Sequence, residues 1–329
     1  MKILALWVSL ALFSGCGTST TSPSAATEDS STSGAAAGAA GGAMSGSGSG
    51  GTIAFLEPSQ KSLFQTFVAK AFEMVPNAFA ATACPTFKTT GAGCTSGSHS
   101  LWLTYSGCSF GVSHATWTGV QELTMSTGTA ACGSFPFVGG STYLVSQFVA
   151  AASSTTTATA TRTNALGTVV TIDDASTNLN NFSGDSIGSI LNSGYGTKVT
   201  LSGSARNSIS IARRISSPGK FDQSITGVLT VGETVGNPTR ILSGNLTVYH
   251  NLLQVVGLSQ FTNVIHKDTC CLPVSGTITT TFSAGSIPPT AAGSALVGKT
   301  ETLTLTGCGT GTLVSATGSN QSVLLSNCF

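Results

Sequence analysis

Charge is scarce in this sequence. Only 8% of its 329 residues are Asp, Glu, Lys or Arg, against roughly a quarter in an average soluble domain. The 13 basic and 12 acidic residues nearly cancel, so there is no field to attract a phosphate backbone and no nucleic-acid partner is expected. Aromatics are also few, at 7%, with no evident girdles of the kind that anchor a membrane-spanning β-barrel. No stretch reaches the ~20 apolar residues that a spanning helix requires. Hydroxyls take the place of charge: the chain holds 47 Ser and 49 Thr beside 40 Gly. That composition argues against a cytosolic housekeeping enzyme and suits an exposed, protease-resistant domain.

The amino terminus carries an address. Lys2 precedes an apolar run from Ile3 to Phe13, too short to cross a bilayer but suited to the core of a secretory signal. The run ends in Leu12-Phe13-Ser14-Gly15-Cys16, which resembles the lipobox of bacterial lipoproteins, with Phe13 where Leu is usual. The resemblance implies cleavage after residue 15, acylation of Cys16 and a membrane partner held through its acyl chains. Gly17, in place of an Asp that retains such proteins in the inner membrane, implies the outer membrane, with the domain facing the periplasm or the surface. Between Gly17 and Thr52 only Pro23, Glu28, Asp29 and Met44 are not Gly, Ser, Ala or Thr, so 16–52 is expected to be a lipidated Cys followed by a disordered tether. The folded domain is then 53–329.

Within that domain the spacing of Leu63, Phe64, Phe67, Val68, Ala71, Phe72 and Val75 predicts one amphipathic helix over 58–75, closed by Pro76. From Leu101 the period falls to two. Ile209 and Ile211 alternate with Ser208 and Ser210, and Leu303 and Leu305 with Thr302, Thr304 and Thr306, as in half-buried antiparallel strands. A signature of apolar residue, Ser or Thr, then Gly recurs, ending at Gly119, Gly203, Gly227, Gly244, Gly276 and Gly307. Its Gly falls in the apolar phase, where it marks a bend, a bulge or a close approach. The fold expected is mainly β, a curled antiparallel meander or partly open barrel with one N-terminal amphipathic helix. Ser217-Pro218-Gly219 and Asn237-Pro238 are expected as turns.

Apart from Cys16 there are eight cysteines: Cys84, Cys94, Cys108, Cys132, Cys270, Cys271, Cys308 and Cys328. An even set in an exported chain suggests up to four disulfides. Short loops favour Cys84 with Cys94 and Cys108 with Cys132. Cys270 and Cys271 either reach Cys308 and Cys328 separately, or bond to each other and leave Cys308 to Cys328. No C-x-x-C or close His pair points to zinc.

Candidate chemistry is sparse. Gly107-Cys108-Ser109-Phe110-Gly111 fits the nucleophile elbow of α/β-hydrolases and makes Ser109 the one weak catalytic candidate, although a chain this rich in Gly and Ser yields such a match about once by chance. Asp173, Asp174 and Asp185 flank Asn178, Asn180 and Asn181, a set that could ligate calcium, but the calcium-loop pattern is missing and a polar loop is the expectation. His250, His266 and Asp268 could form a metal or acid–base site only if folding joins them. Arg213 and Arg214 are expected on a solvated strand or turn. Val323, Leu325 and Phe329 partly match the closing strand of an outer-membrane barrel, and Asn327 breaks the match.

The sequence therefore predicts a lipid-anchored cell-envelope protein of structural or adhesion type, not an enzyme, with no metal or other cofactor. The alternatives are an apolar-ligand or lipid binder with its cavity beneath 58–75, and an envelope serine hydrolase.

Overall fold

The computed structural model describes residues 26–27, 31–44, 86–88, 98–109, 116–126, 143–149, 159–163, 167–174, 196–202, 205–233, 239–267 and 270–325. The chain order is β1 (Ala26–Thr27), α1 (Thr32–Met44), β2 (Thr86–Lys88), β3 (Ser98–Ser109), β4 (Thr116–Ser126), β5 (Tyr143–Val149), β6 (Thr159–Thr163), β7 (Val169–Asp173) and β8 (Gly196–Ser202). It continues through β9 (Ala205–Ser217), β10 (Phe221–Glu233), β11 (Thr239–His250), β12 (Val255–Lys267), β13 (Cys270–Ala284), α2 (Ala291–Ser294), β14 (Thr300–Gly307), β15 (Thr310–Val314) and β16 (Asn320–Leu324).

All described strands join one mainly antiparallel sheet that curls into a partial ring, as the alternation of aliphatic and hydroxyl residues predicts. From β9 to β16 the strands lie in chain order, a meander of hairpins. The β9–β10 turn is the expected one: Lys220 N–H donates to Ser217 O at 3.1 Å, and Gly219 takes the positive φ of 68° that follows a turn proline. Asn237-Pro238 lies outside the described residues.

The other half of the sheet divides. One edge of β9 pairs with β10, and the opposite edge pairs with β8 along 205–212 and with β7 along 214–216. β4 repeats the arrangement, with β3 on one edge and both β5 and β6 on the other. Because β5 pairs with β8 and β6 with β7, two arms leave β9 and rejoin at β4.

Strong curling needs backbones to approach closely, and the recurring Gly supplies this. At Gly227, φ is 144° and an added Cβ would stand 2.7 Å from Asn245 O; at Gly276, φ is 113° and the gap to Asn263 O would be 2.5 Å. Side chains cannot occupy either place without moving a neighbouring strand. Beside a third signature Gly, Gly244, the register shifts so that one residue of β11 faces two of β12, a bulge at Thr262-Asn263 where Asn263 takes a positive φ of 49°.

The inner face is aliphatic, with Ile209, Leu229, Leu242, Leu246, Ile278 and Leu303 fully buried. Its filling corrects the domain boundaries read from the sequence. Thr32–Met44, expected within a disordered tether, is α1, and every one of its residues is buried in the core with residues of the sheet. Four of its thirteen residues are Gly, each costing ~1 kcal/mol in a helix, so it is burial that holds the helical form. Small side chains let the strands pack against the helix backbone, a possibility that a composition poor in large apolar groups conceals. The folded unit therefore includes 26–27 and 31–44. The helix expected over 58–75 lies outside the described residues.

Gly257 on β12 makes room for the start of α1, since a Cβ there would meet Thr32 Cγ2 at 2.7 Å and Thr280 Cγ2 at 2.8 Å. Gly257→Val should destabilise the protein by about 1–3 kcal/mol through overpacking. A urea midpoint equal to wild type would show that α1 does not press on this strand.

Candidate functional site

The inner surface carries polar groups at three places. The first holds the N-terminus of α1. Ser31 caps the helix, its Oγ accepting from Gly34 N–H at 3.0 Å. Ser33 N–H donates to Glu301 Oε1 of β14 at 2.6 Å. Ser33 Oγ lies 2.7 Å from Thr280 Oγ1 of β13, which lies 2.7 Å from Ser259 Oγ of β12. Thr32 Oγ1 hydrogen-bonds His250 Nε2 of β11. Four adjacent strands thus grip one helix end, and a carboxylate meets the positive pole of the helix. Burial raises the Glu301 pKa, while N–H groups of Ser33 and Thr32 pull it back. Burial pushes His250 down to about 4.

The second place is a buried ion-pair triad. Arg206 Nη1 and Arg240 Nε donate to Glu233 Oε1 at 2.8 and 2.7 Å, and Arg206 N–H donates to Oε2 at 2.6 Å. β9, β10 and β11 are thereby locked in register. His266 of β12 stands directly across from Arg240 and is fully buried. Burial, then repulsion by Arg240 and Arg206, pushes its pKa down to about 3.

The third place joins the arms of the divided sheet. Trp117 of β4 and Phe148 of β5 stack with centroids 6.1 Å apart. Arg162 lies over Trp117 at 5.7 Å and Arg213 over Phe148 at 5.2 Å. Asp174 accepts from Arg213 Nε at 2.8 Å and Nη2 at 2.9 Å, and from Phe148 N–H at 2.8 Å.

These contacts revise several expectations. Arg213 is buried and paired with Asp174, not solvated; its phase with Ile209, Ile211 and Ile215 sends it inward. Arg214, in the opposite phase, is partly exposed and grips Asp222 through Nε at 2.7 Å and through Nη2. The Asp174 carboxylate, weighed as a calcium ligand, is occupied by Arg213 and a backbone N–H. Asp185, Asn178, Asn180 and Asn181 lie outside the described residues. His250 and His266 sit toward opposite ends of the β11–β12 pair, opposite Val255 and Arg240 respectively, so they form no joint site. Eleven residues of β12 separate those positions, roughly 35 Å at strand rise. Asp268 is outside the described residues. No group of three or more His, Cys, Asp or Glu among the described residues is placed to hold a metal.

Ser109 ends β3 opposite Thr116, and the chain returns after 110–115 as the antiparallel strand β4. The elbow requires strand, sharp turn and helix, so this hairpin removes the structural basis of that match.

Cys270 and Cys308 form a disulfide, with Cα atoms 5.9 Å apart, joining the start of β13 to the β14–β15 turn; the vicinal Cys270–Cys271 alternative is thereby excluded. Cys108 is also disulfide-bonded. Cys16, Cys84, Cys94, Cys132 and Cys328 lie outside the described residues. Val323 and Leu325 are buried on the inner face, whereas outward positions of β13 to β15 carry Thr277, Thr279, Thr302, Thr304 and Thr312. This polarity is the reverse of a lipid-facing barrel wall. No helix among the described residues is long and apolar enough to cross a membrane.

Sequence reading missed Glu301, Arg206, Glu233 and Arg240 as a class. Parity offered a signal for three of them: Glu301 is in phase with Leu303 and Leu305, Arg240 with Leu242 and Leu246, and Glu233 with Leu229 and Val231. No protein-family model, curated protein or solved structure matches this chain.

The two lowered histidines fix the sign of a pH dependence. Between an ordinary His value of ~6.5 and the folded value, the unfolded chain binds more protons, so acidification destabilises by about 1.4 kcal/mol per pH unit for each group. Glu301 acts in the opposite sense, its raised pKa favouring the folded state as pH falls through the raised value. His250→Gln should flatten the fall in urea stability between pH 6.5 and 4. An unchanged slope would mean that His250 is not buried neutral in solution.

Proposed function

We propose that this is a lipid-anchored protein of the cell envelope, non-catalytic and structural or adhesive in role, exported by residues 1–15 and tethered to the outer membrane through Cys16. The observation that carries the non-catalytic reading is the filling of the sheet by α1. The space in which a curled sheet would hold a substrate or an apolar ligand is taken by a segment of the same chain, capped by Ser31 and bonded to Glu301, Thr280 and His250. Inward charges of the described sheet engage one another, as in Arg213 with Asp174 and the triad around Glu233. The hairpin at Ser109 supports no hydrolase elbow. Outward hydroxyl rows such as Thr262, Thr277, Thr304, Thr312 and Ser322, placed side by side on five strands, suit a surface exposed to proteases and without strong charge. The Leu12 to Cys16 run supports the anchor.

Cys16→Ser should move the protein from the membrane fraction to the soluble periplasmic fraction; continued sedimentation with membranes would refute the anchor. A strain lacking the protein should lose attachment or envelope resistance, and a Ser109→Ala copy should restore it fully. Failure of Ser109→Ala to restore would revive the hydrolase. A lipid-sized adduct in native mass spectra, lost on denaturation, would replace the structural reading with a carrier.

A further inference from the structure

Among the described residues, His266 is a buried side chain with both of its polar atoms unpartnered. It is 1% exposed, and neither Nδ1 nor Nε2 has a hydrogen-bond partner. A buried polar atom left without a partner carries a penalty of ~1–3 kcal/mol, and native proteins usually resolve such positions with a water or an ion.

The surroundings select between the two. His266 faces Arg240 directly across the β11–β12 pair, and Arg240 shares Glu233 with Arg206. Both guanidiniums act on the imidazole as positive charges. Glu233 accepts three hydrogen bonds, all from these two arginines, so its carboxylate is turned to them and leaves the imidazole unserved. A neutral water gains only a hydrogen bond beside this ring. An anion gains that bond and the attraction of two guanidiniums that share the single carboxylate of Glu233, an attraction weakly screened where water is excluded.

We propose that His266, backed by Arg240 and Arg206, is a binding site for a small monovalent anion of halide type. The ring N–H donates to the anion, and the guanidiniums supply the electrostatic stabilisation that offsets its dehydration. The site lies at the opposite end of the β11–β12 pair from the grip on α1, where His250 stands, and it is independent of the envelope role.

The test is urea unfolding of the full-length protein at constant ionic strength, with chloride exchanged for gluconate. Once chloride exceeds its dissociation constant, each tenfold increase should lower the unfolding equilibrium constant tenfold, as for any ligand bound only by the native state. His266→Leu should abolish that dependence whatever its own stability. Wild-type stability indifferent to chloride, or an equal dependence in His266→Leu, overturns the proposal. Should His266→Leu fail to fold, wild-type crystals soaked in bromide decide the matter. An anomalous peak within hydrogen-bond distance of a His266 ring nitrogen is expected, and a water or no peak there overturns the site.

Discussion

A sheet that curls with its aliphatic face inward must fill its own interior, because unfilled apolar surface forfeits both hydration release and dispersion contacts. Here the filler is α1, and most other features follow from its dimensions. Thirteen residues give a rod of ~20 Å, and Gly and Ala keep it thin. Aliphatic side chains from the strands can then reach the helix backbone, and Gly257 lets Thr32 sit against β12. The hydroxyls and carboxylate around Thr32 and Ser33 answer a second demand. A helix end buried in an apolar core has N–H groups that need acceptors, and Ser31 and Glu301 supply them.

The buried ion pairs play a different part. Paired charges taken out of water contribute little net stability against apolar residues of equal volume, while removal of one partner is costly. Their use in this fold lies in registration. Sliding β9, β10 or β11 by one residue would turn Arg206, Glu233 and Arg240 outward and Thr or Ser inward. Arg213 with Asp174 does the same for the divided half, linking β9 to the end of β7 and, through Phe148 N–H, to β5. The triad and the Arg213–Asp174 pair thus secure opposite ends of β9, a hub shared by the meander and the divided arms.

The outer face has the opposite character. Rows of Thr across β12 to β15 carry no charge and leave hydroxyls toward solvent, with β-branched side chains well suited to a pleated surface. An apolar interior, a neutral hydroxyl exterior and a disulfide from Cys270 to Cys308 describe a domain whose stability owes little to surface electrostatics.

Strand alternation was legible in the sequence because period-two patterning is local: Ile209 and Ile211 against Ser208 and Ser210 say strand without reference to any other segment. The same holds for the turn at Ser217-Pro218-Gly219, and for the close approaches marked by Gly227 and Gly276, where an apolar phase is interrupted by a residue lacking Cβ. Arg213 was expected in solvent and Arg240 and Glu301 were not singled out, although all three share the strand phase of inward aliphatics, because the partners that let a charge be buried lie far away in sequence. What only the tertiary structure decided was which distant segments meet. Thr32–Met44 reads as tether because Gly and Ala bury little area one by one, and its helical form exists only where a curled sheet surrounds it. Asp174 finds Arg213, Glu301 finds Ser33 and His266 faces Arg240 across turns and strands of the meander. Such pairings are long-range, and a single sequence records the chemistry of each group but not the distance between them.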